Sequence, residues 1–139
     1  IPSNASLNQI TDAFDEMLTE STLKKSFNIL PDSLFSPTSV SMRGATNEDE
    51  IKLRKIRAEL EKITGLYRRD VDSYEFHVSM AYTVKWLNEK MATKMVEECN
   101  SLFNKYLAQC DPIHFDLVEF CSFENMHKFS SVRKYYEKV

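Results

Sequence analysis

Residues that break regular structure are scarce in this sequence, and this scarcity constrains the fold more than any other feature. The 139 residues include only two glycines, Gly44 and Gly65, and four prolines. A fold made only of strands needs many tight turns, and such turns draw on glycine and proline. The sequence therefore disfavours an all-β fold. No stretch of it resembles a long linker, a repeat or a low-complexity tract.

Three stretches carry apolar residues at helical spacing. The first covers about residues 7–25 and begins with a capping box at Ser6. The second begins at 46–49, where acidic residues favour a helix N-terminus, and it ends at Gly65 in a left-handed cap. The third begins after Asn88, which is predicted to cap it. Its predicted inward-facing residues are Met91, Met95, Cys99, Leu102, Phe103 and Tyr106.

Four β-prone segments alternate with these helices. They are residues 27–30, 38–43, 74–84 and a stretch near 113–120. Residues 31–37 are predicted to form a turn and loop, and the aromatic tail 123–136 is predicted to form a loop with a short edge strand. The order α-β-β-α-β-α-β predicts an α+β fold, in which helices pack on a mostly antiparallel sheet.

The composition predicts a globular chain, with 42% hydrophobic and 28% charged residues. A net charge of −3 gives no general reason to bind nucleic acid through its phosphates. No apolar run approaches the roughly 20 residues that span a bilayer, so no membrane partner is expected. Three cysteines without a CxxC pair favour free thiols in a reducing, cytoplasmic compartment, although one disulfide also fits the sequence. The scattered histidines and cysteines predict no metal or other cofactor.

The strand predicted at 74–84 carries a histidine and a serine on one face. Side chains alternate along a strand, so Glu75, His77 and Ser79 project to one side. The other side is apolar and predicted to pack against helices, and it carries Tyr74, Phe76, Val78, Met80 and Tyr82. An imidazole can transfer a proton near neutral pH, and a hydroxyl can donate a hydrogen bond to a phosphoryl oxygen. Taken alone, His-x-Ser is more often an ordinary strand histidine beside a serine, because the pattern is common by chance.

Segments on both sides of this pair make the match more specific. The matching segments read SVSMRGATNEDEIKLRKIRAELEKITG (39–65), YEFHVSMAYTVKWL (74–87) and EFCSFENMHKF (119–129). Over about residues 27–129 the sequence resembles the two-histidine phosphoesterase superfamily, in the branch of uncharacterised domains similar to cyclic phosphodiesterases. The resemblance implies a bilobal fold, in which each lobe contributes one His-x-Thr/Ser motif to a cleft that hydrolyses a phosphodiester, often a 2′,3′-cyclic phosphate.

The resemblance implies that His77 is one of two proton-transfer groups and that Ser79 holds a phosphate oxygen. The implied substrate is a phosphodiester on a nucleotide or RNA end, and the reaction needs no metal. No second His-x-Ser or His-x-Thr occurs here, because His114 and His127 have other neighbours. We therefore expect residues 1–139 to form a single domain that lacks its N-terminal strand. Such a domain would be incomplete or inactive unless a missing segment or a second chain completes it.

An alternative class is also open at this point. The domain can be a catalytically inactive module that binds a phosphate-containing ligand or a protein partner. Four residues are weaker candidates for substrate binding: Arg43, Tyr82, Trp86 and His127. Arg43 either neutralises a phosphate or pairs with Glu48 or Asp49 on the surface. Tyr82 and Trp86 either stack on a base or, as favoured for Tyr82, pack in the core. His127 is either a cleft wall or substitute proton donor, or else an ordinary helix-cap or loop histidine.

Overall fold

The computed structural model describes residues 1–19, 21, 23, 26–70 and 73–136. In this part of the chain the elements are α1 (Leu7–Leu18), β1 (Phe27–Ser36), β2 (Ser39–Gly44), α2 (Asn47–Thr64), β3 (Phe76–Ser79), α3 (Glu89–Leu102), β4 (Ile113–Phe115), β5 (Leu117–Asn125) and β6 (Lys128–Tyr136). A π-helical turn, Phe103–Leu107, continues α3. The predicted α+β class is confirmed. None of the helices described is long and apolar enough to cross a membrane.

The chain divides into two compact units. The first contains Ile1–Phe27, Ile51–Val71 and His114–Val139, and the second contains Asn28–Glu50 and Asp72–Ile113. Each unit has its own buried apolar residues. These are Leu18, Leu23, Phe27, Leu53, Ile56 and Tyr135 in the first unit, and Ile29, Val40, Met42 and Phe103 in the second. A single domain over residues 1–139 stays a prediction.

Four strands form one sheet in the order β3-β2-β1-β4, and β5 and β6 form a separate hairpin. β2 runs antiparallel to both β1 and β3. The register of β1 against β2 shifts twice, between Pro31 and Ser33 and between Leu34 and Ser36. Asp32 and Phe35 therefore have no partner in β2, as is expected of the extra residues at two β-bulges.

The prediction of a loop at 31–37 is wrong, because β1 continues to Ser36 and the turn follows it. The turn chemistry of Pro31 and Asp32 misled the prediction, since both residues are also tolerated where a strand bulges. A bulge depends on how two strands pair, and the sequence of one strand does not show this.

Local capping signals are confirmed. Ser6 accepts a hydrogen bond from the Gln9 backbone, and the Gln9 side chain accepts one from the Ser6 backbone. Asn88 caps α3 by accepting from the Met91 N–H at 2.9 Å. Gly65 ends α2 with φ 68°, which is the left-handed cap that glycine favours. The predicted first helix is too long: α1 ends at Leu18, and residues 20, 22, 24 and 25 lie outside the part of the chain that is described.

Gly44 joins the end of β2 to the first turn of α2. Its N–H donates to the Glu50 carboxylate at 2.8 Å. A Cβ added at Gly44 would collide with the backbone nitrogen of Glu50. Asp49 connects the same turn to β1, because its side chain accepts from the Asn28 N–H at 2.9 Å. The start of α2 is thus fixed against the sheet by backbone contacts that only glycine permits at position 44.

Three strand and helix predictions are wrong in extent or orientation. β3 covers only Phe76–Ser79 instead of 74–84, and Val78, Met80 and Tyr82 are exposed rather than packed against helices. β3 is the terminal strand of the sheet order, so among the residues described it has a neighbouring strand on one side only.

Among the predicted inward-facing residues of the third helix, Phe103 is buried, whereas Met91, Leu102 and Tyr106 are exposed. The last two line an open apolar groove rather than a closed core.

The aromatic tail is more regular than predicted. Residues near 113–120 form two strands, β4 and the start of β5, and residues 123–136 mostly belong to the β5–β6 hairpin. Neither strand shows a clean alternation, because most of their side chains are half-buried or exposed. Period-2 patterning needs one buried face, so no alternation in the sequence indicated this hairpin.

The β5–β6 hairpin is attached to α1 within the first unit. Arg133 on β6 donates to both carboxylate oxygens of Asp15, with Nη2 to Oδ2 at 2.7 Å. The hydroxyl of Tyr135, which is buried, donates to the Leu18 carbonyl at 3.3 Å. These bonds join residues more than a hundred positions apart in sequence.

Candidate functional site

The predicted pair on β3 lies on a sheet face that is rich in hydroxyl groups. Ser41 on β2 is directly opposite His77, and Ser39 is directly opposite Ser79. Directly opposite residues of an antiparallel pair share a face. β1 adds two more serines to this face, because Ser33 and Ser36 lie opposite Ser41 and Ser39. His77 and Ser79 are exposed, whereas Ser39 and Ser41 are only 8% and 5% exposed.

Three neighbouring groups hold the imidazole of His77. Its Nδ1 lies 3.1 Å from the Glu75 carbonyl oxygen. The ring stacks on Phe35, with centroids 5.1 Å apart and an interplanar angle of 8°. The Tyr74 ring is also next to the imidazole, with ring centroids 6.2 Å apart and ring planes tilted by 43°. A carbonyl oxygen only accepts hydrogen bonds, so Nδ1 carries the hydrogen. In the neutral ring Nε2 is then the nitrogen with a free lone pair, and it is the atom suited to proton transfer.

The Glu75 side chain ties β3 to β2. Its Oε2 accepts a hydrogen bond from the Ser41 hydroxyl at 3.0 Å. The backbone carbonyl of the same residue accepts a hydrogen bond from the imidazole, so Glu75 connects the buried Ser41 to His77. This arrangement fixes the relation between β2 and β3 where His77 lies.

Arg43 lies two residues beyond Ser41 on β2 and therefore on the same face. Its Nε is 3.2 Å from Oδ1 of Asp32, and both side chains are 52% exposed. Exposed ion pairs contribute only about 0–1 kcal/mol, so a phosphate can compete for the guanidinium at little cost. The carboxylate partner of Arg43 in the structure is the bulge residue Asp32, whereas the sequence suggested Glu48 or Asp49. Phosphate binding by Arg43 stays a prediction.

Tyr82 and Trp86 lie in the irregular segment that follows β3. Both are exposed, Trp86 to 92%, so the expectation that Tyr82 packs in the core is wrong. The chain leaves the sheet just after Ser79, where the N–H groups of Met80 and Ala81 both donate to the Thr38 carbonyl. Base stacking by either aromatic residue stays a prediction.

His127 belongs to the first unit and lies in the turn between β5 and β6. It is exposed, and its backbone N–H donates to the Asn125 side chain at 3.0 Å. This is a local turn bond that the position would make with most residues. A role for His127 in a cleft wall or in proton transfer stays a prediction.

The cysteines are all free thiols. Burial, followed by the nearby Glu119 carboxylate, raises the pKa of the Cys121 thiol. A thiol with a raised pKa forms little thiolate and is a poor nucleophile. In the part of the chain that the structure describes, no three histidine, cysteine or acidic side chains group together as metal ligands would.

The sequence indicated that His77 and Ser79 share a face but did not indicate the residues that hold the imidazole. Ser39 and Ser41 carried a signal, because SVSMR alternates and places both serines on the face of Arg43. Phe35 was missed because residues 31–37 were predicted to form a loop, and its contact with His77 depends on how β1, β2 and β3 pair. Glu75 was predicted to share the face of His77, but its bond to Ser41 depends on the register between β2 and β3.

Comparison with known proteins gives a fold relationship and no function. No family model and no curated protein matches the sequence. The fold is similar to the crystal structure of a conserved protein of unknown function from Agrobacterium tumefaciens, with a TM-score of 0.71 and 25% sequence identity. The match covers 95% of this chain and 56% of that protein. The chain thus spans just over half the length of its structural neighbour.

Proposed function

We propose that this chain provides one half of a site that hydrolyses a phosphodiester on a nucleotide or RNA end, as in cyclic phosphodiesterases of the two-histidine type. One observation carries the proposal. His77 and Ser79 share an exposed, hydroxyl-rich sheet face, and the Nδ1 bond to Glu75 leaves Nε2 as the nitrogen for proton transfer. Arg43 on the same face provides a positive charge, which is held by an exposed ion pair with Asp32 and a hydrogen bond to the Gly44 carbonyl.

Each residue has a distinct role in this proposal. Nε2 of neutral His77 accepts a proton from the attacking water, or the imidazolium donates one to the leaving oxygen. The Ser79 hydroxyl donates to a non-bridging phosphoryl oxygen, where negative charge is concentrated. One imidazole does not perform both proton transfers in the same step. The proposal therefore assigns the second to a His-x-Ser or His-x-Thr motif in another segment or in a second chain.

Calorimetric titration with 2′,3′-cyclic AMP tests the phosphate contact. Ser79→Ala should weaken binding about tenfold or more, because a hydrogen bond to a charged group contributes about 1.5–3 kcal/mol. Ser101→Ala is the matched control, since it removes an exposed hydroxyl from α3. The proposal fails if Ser79→Ala binds the cyclic nucleotide as tightly as Ser101→Ala and the unsubstituted chain.

The sequence also favours a second candidate, because it contains only one His-x-Ser motif. In that case the same face binds a phosphate-containing ligand without turnover. Product analysis separates the two candidates after incubation with 2′,3′-cyclic AMP, alone and with the segment or chain that carries a second motif. Formation of a 2′- or 3′-monophosphate that His77→Gln abolishes supports hydrolysis. Binding that depends on Ser79, without any product, supports the module.

A further inference from the structure

We infer that Phe35 is a positioning residue, which fixes the plane of the His77 imidazole by stacking on it across the middle strand of the sheet. The catalytic meaning of this stack rests on the proposed function, whereas the contact between the two rings is independent of it. Phe35 belongs to β1 and His77 to β3, so a whole strand separates them. Their rings are nonetheless nearly parallel, at 8°, with centroids 5.1 Å apart.

The alternation of β1 places Phe35 on the face of His77. Leu34 lies opposite Val40 and shares its buried face, so Phe35 projects to the opposite face, which carries His77. Leu34 pairs with Val40 and Ser36 pairs with Ser39, so Phe35 is also the extra residue between two paired positions. As the bulge residue it has no partner in β2, and its ring packs on His77 of β3.

Small side chains on β2 allow the two rings to meet. Neighbouring strands lie about 4.8 Å apart, so β1 and β3 are separated by roughly 10 Å. Rings from both strands bridge that gap only if no bulky side chain rises from β2 between them. The β2 residues on this face are Ser39 and Ser41, and they are almost completely covered, at 8% and 5% exposed. The rings of Phe35 and His77 are on this same face.

The stack supplies a restraint that the hydrogen bond alone does not. The Nδ1 bond to Glu75 selects the tautomer, but a single bond still permits the ring to swing. A parallel aromatic ring restricts that motion, and Tyr74 limits it from another side. Together these contacts hold Nε2 in one orientation before a substrate arrives, which is the condition for efficient proton transfer.

Long-range proton–nitrogen correlation spectra of the ¹⁵N-labelled chain test this inference without a ligand. At mildly alkaline pH, the unsubstituted chain should show His77 as a single Nδ1–H tautomer. Without the stack the ring can swing away from the Glu75 carbonyl, so Phe35→Leu should show a mixture of both tautomers, and Phe35→Tyr should restore the single form. The inference is overturned if Phe35→Leu keeps the pure Nδ1–H pattern.

A matched control and a second variant keep the test decisive. Phe129→Leu removes a phenylalanine of nearly equal exposure, 53% against 55% for Phe35, from the β5–β6 hairpin, and it should leave the His77 signals unchanged. Phe35→Ile, whose β-branched side chain suits a strand, replaces Phe35→Leu if that variant melts early. A His77 pattern that is perturbed equally by Phe129→Leu also contradicts a specific role for Phe35.

Binding separates this inference from the proposed function. If both hold, Phe35→Leu weakens binding of 2′,3′-cyclic AMP by about two- to tenfold, the range that one aromatic pair contributes. If the tautomer mixture appears but the cyclic nucleotide does not bind even to the unsubstituted chain, positioning stands and the proposed function fails. If Ser79-dependent binding is present and the tautomer stays pure in Phe35→Leu, the function stands and positioning fails.

Discussion

The antiparallel hairpins β1–β2 and β5–β6 both pair irregularly, but they differ in what the side chains at the irregular positions contact. Each has two register shifts. In β1–β2 the shifts release Asp32 and Phe35, which contact residues on other strands: Arg43 on β2 and His77 on β3. In β5–β6 the aromatic pair Phe123 and Phe129 packs within the hairpin itself, at 4.9 Å between centroids. The bulge residues of the first hairpin thus contact side chains presented by β2 and β3 on the His77 face, to which the second hairpin has no counterpart among the residues described.

The two hairpins also differ in how they are attached to a helix. β2 contacts the first turn of α2 through Gly44, where backbone meets backbone without room for a side chain. β6 is attached to α1 by charged and hydroxyl side chains, those of Arg133 and Tyr135. The first attachment combines a close backbone contact with hydrogen bonds to the Glu50 and Asp49 carboxylates, whereas the second is made by side chains without such a contact.

The largest expected effect is that of Gly44→Ala. The new methyl group meets the Glu50 backbone, which cannot rotate away as a side chain can, so β2 and α2 must separate. We expect the free energy of unfolding to fall by about 3 kcal/mol or more, the upper range for overpacking. Urea denaturation followed by circular dichroism measures it.

Gly65→Ala is the matched control for this prediction. Gly65 has open space around its Cα, and its only constraint is the positive φ of 68°. The substitution should cost about 1 kcal/mol, the strain of a left-handed residue. If both substitutions cost the same, the close approach at Gly44 does not attach the first hairpin.

A smaller effect, which depends on pH, is expected for Asp15→Asn. Hydrogen bonds from the Arg133 guanidinium hold the pKa of the Asp15 carboxyl below its usual range. A lowered pKa in the folded state stabilises the fold above the pKa of the free carboxyl, and this gain is lost as the pH falls through the lowered value. Asp15→Asn should therefore melt below the unsubstituted chain at neutral pH, and the difference should close as the pH falls through the lowered pKa of Asp15.

Asp70→Asn sharpens this prediction. Hydrogen bonds from Arg68 also lower the pKa of Asp70, but the two residues are only two positions apart. A local pair constrains little of the fold, so its loss should shift the melting temperature less than the loss of the Asp15 pair. A melting difference for Asp15→Asn that does not change with pH would exclude the ion pair as the attachment of the second hairpin.

Local chemistry was predictable from the sequence, and pairing between distant segments was not. The caps at Ser6, Asn88 and Gly65 were predicted because each depends on residues within one turn of the helix. His77 and Ser79 were predicted to share a face because alternation is a property of a single strand. The bulge at Phe35 depends on how β1 pairs with β2, so no single segment of the sequence indicated it.

The central claim is that a phosphodiester binds on the face that carries His77 and Ser79. A crystal structure of the chain with bound 2′,3′-cyclic AMP tests this in one measurement. We predict a phosphoryl oxygen within hydrogen-bond distance of the Ser79 hydroxyl and Nε2 of His77 within about 2.6–3.2 Å of an oxygen on the phosphorus, or one water away. A cyclic phosphate bound to another surface, with the hydroxyl-rich face of β2 and β3 empty, would contradict the account.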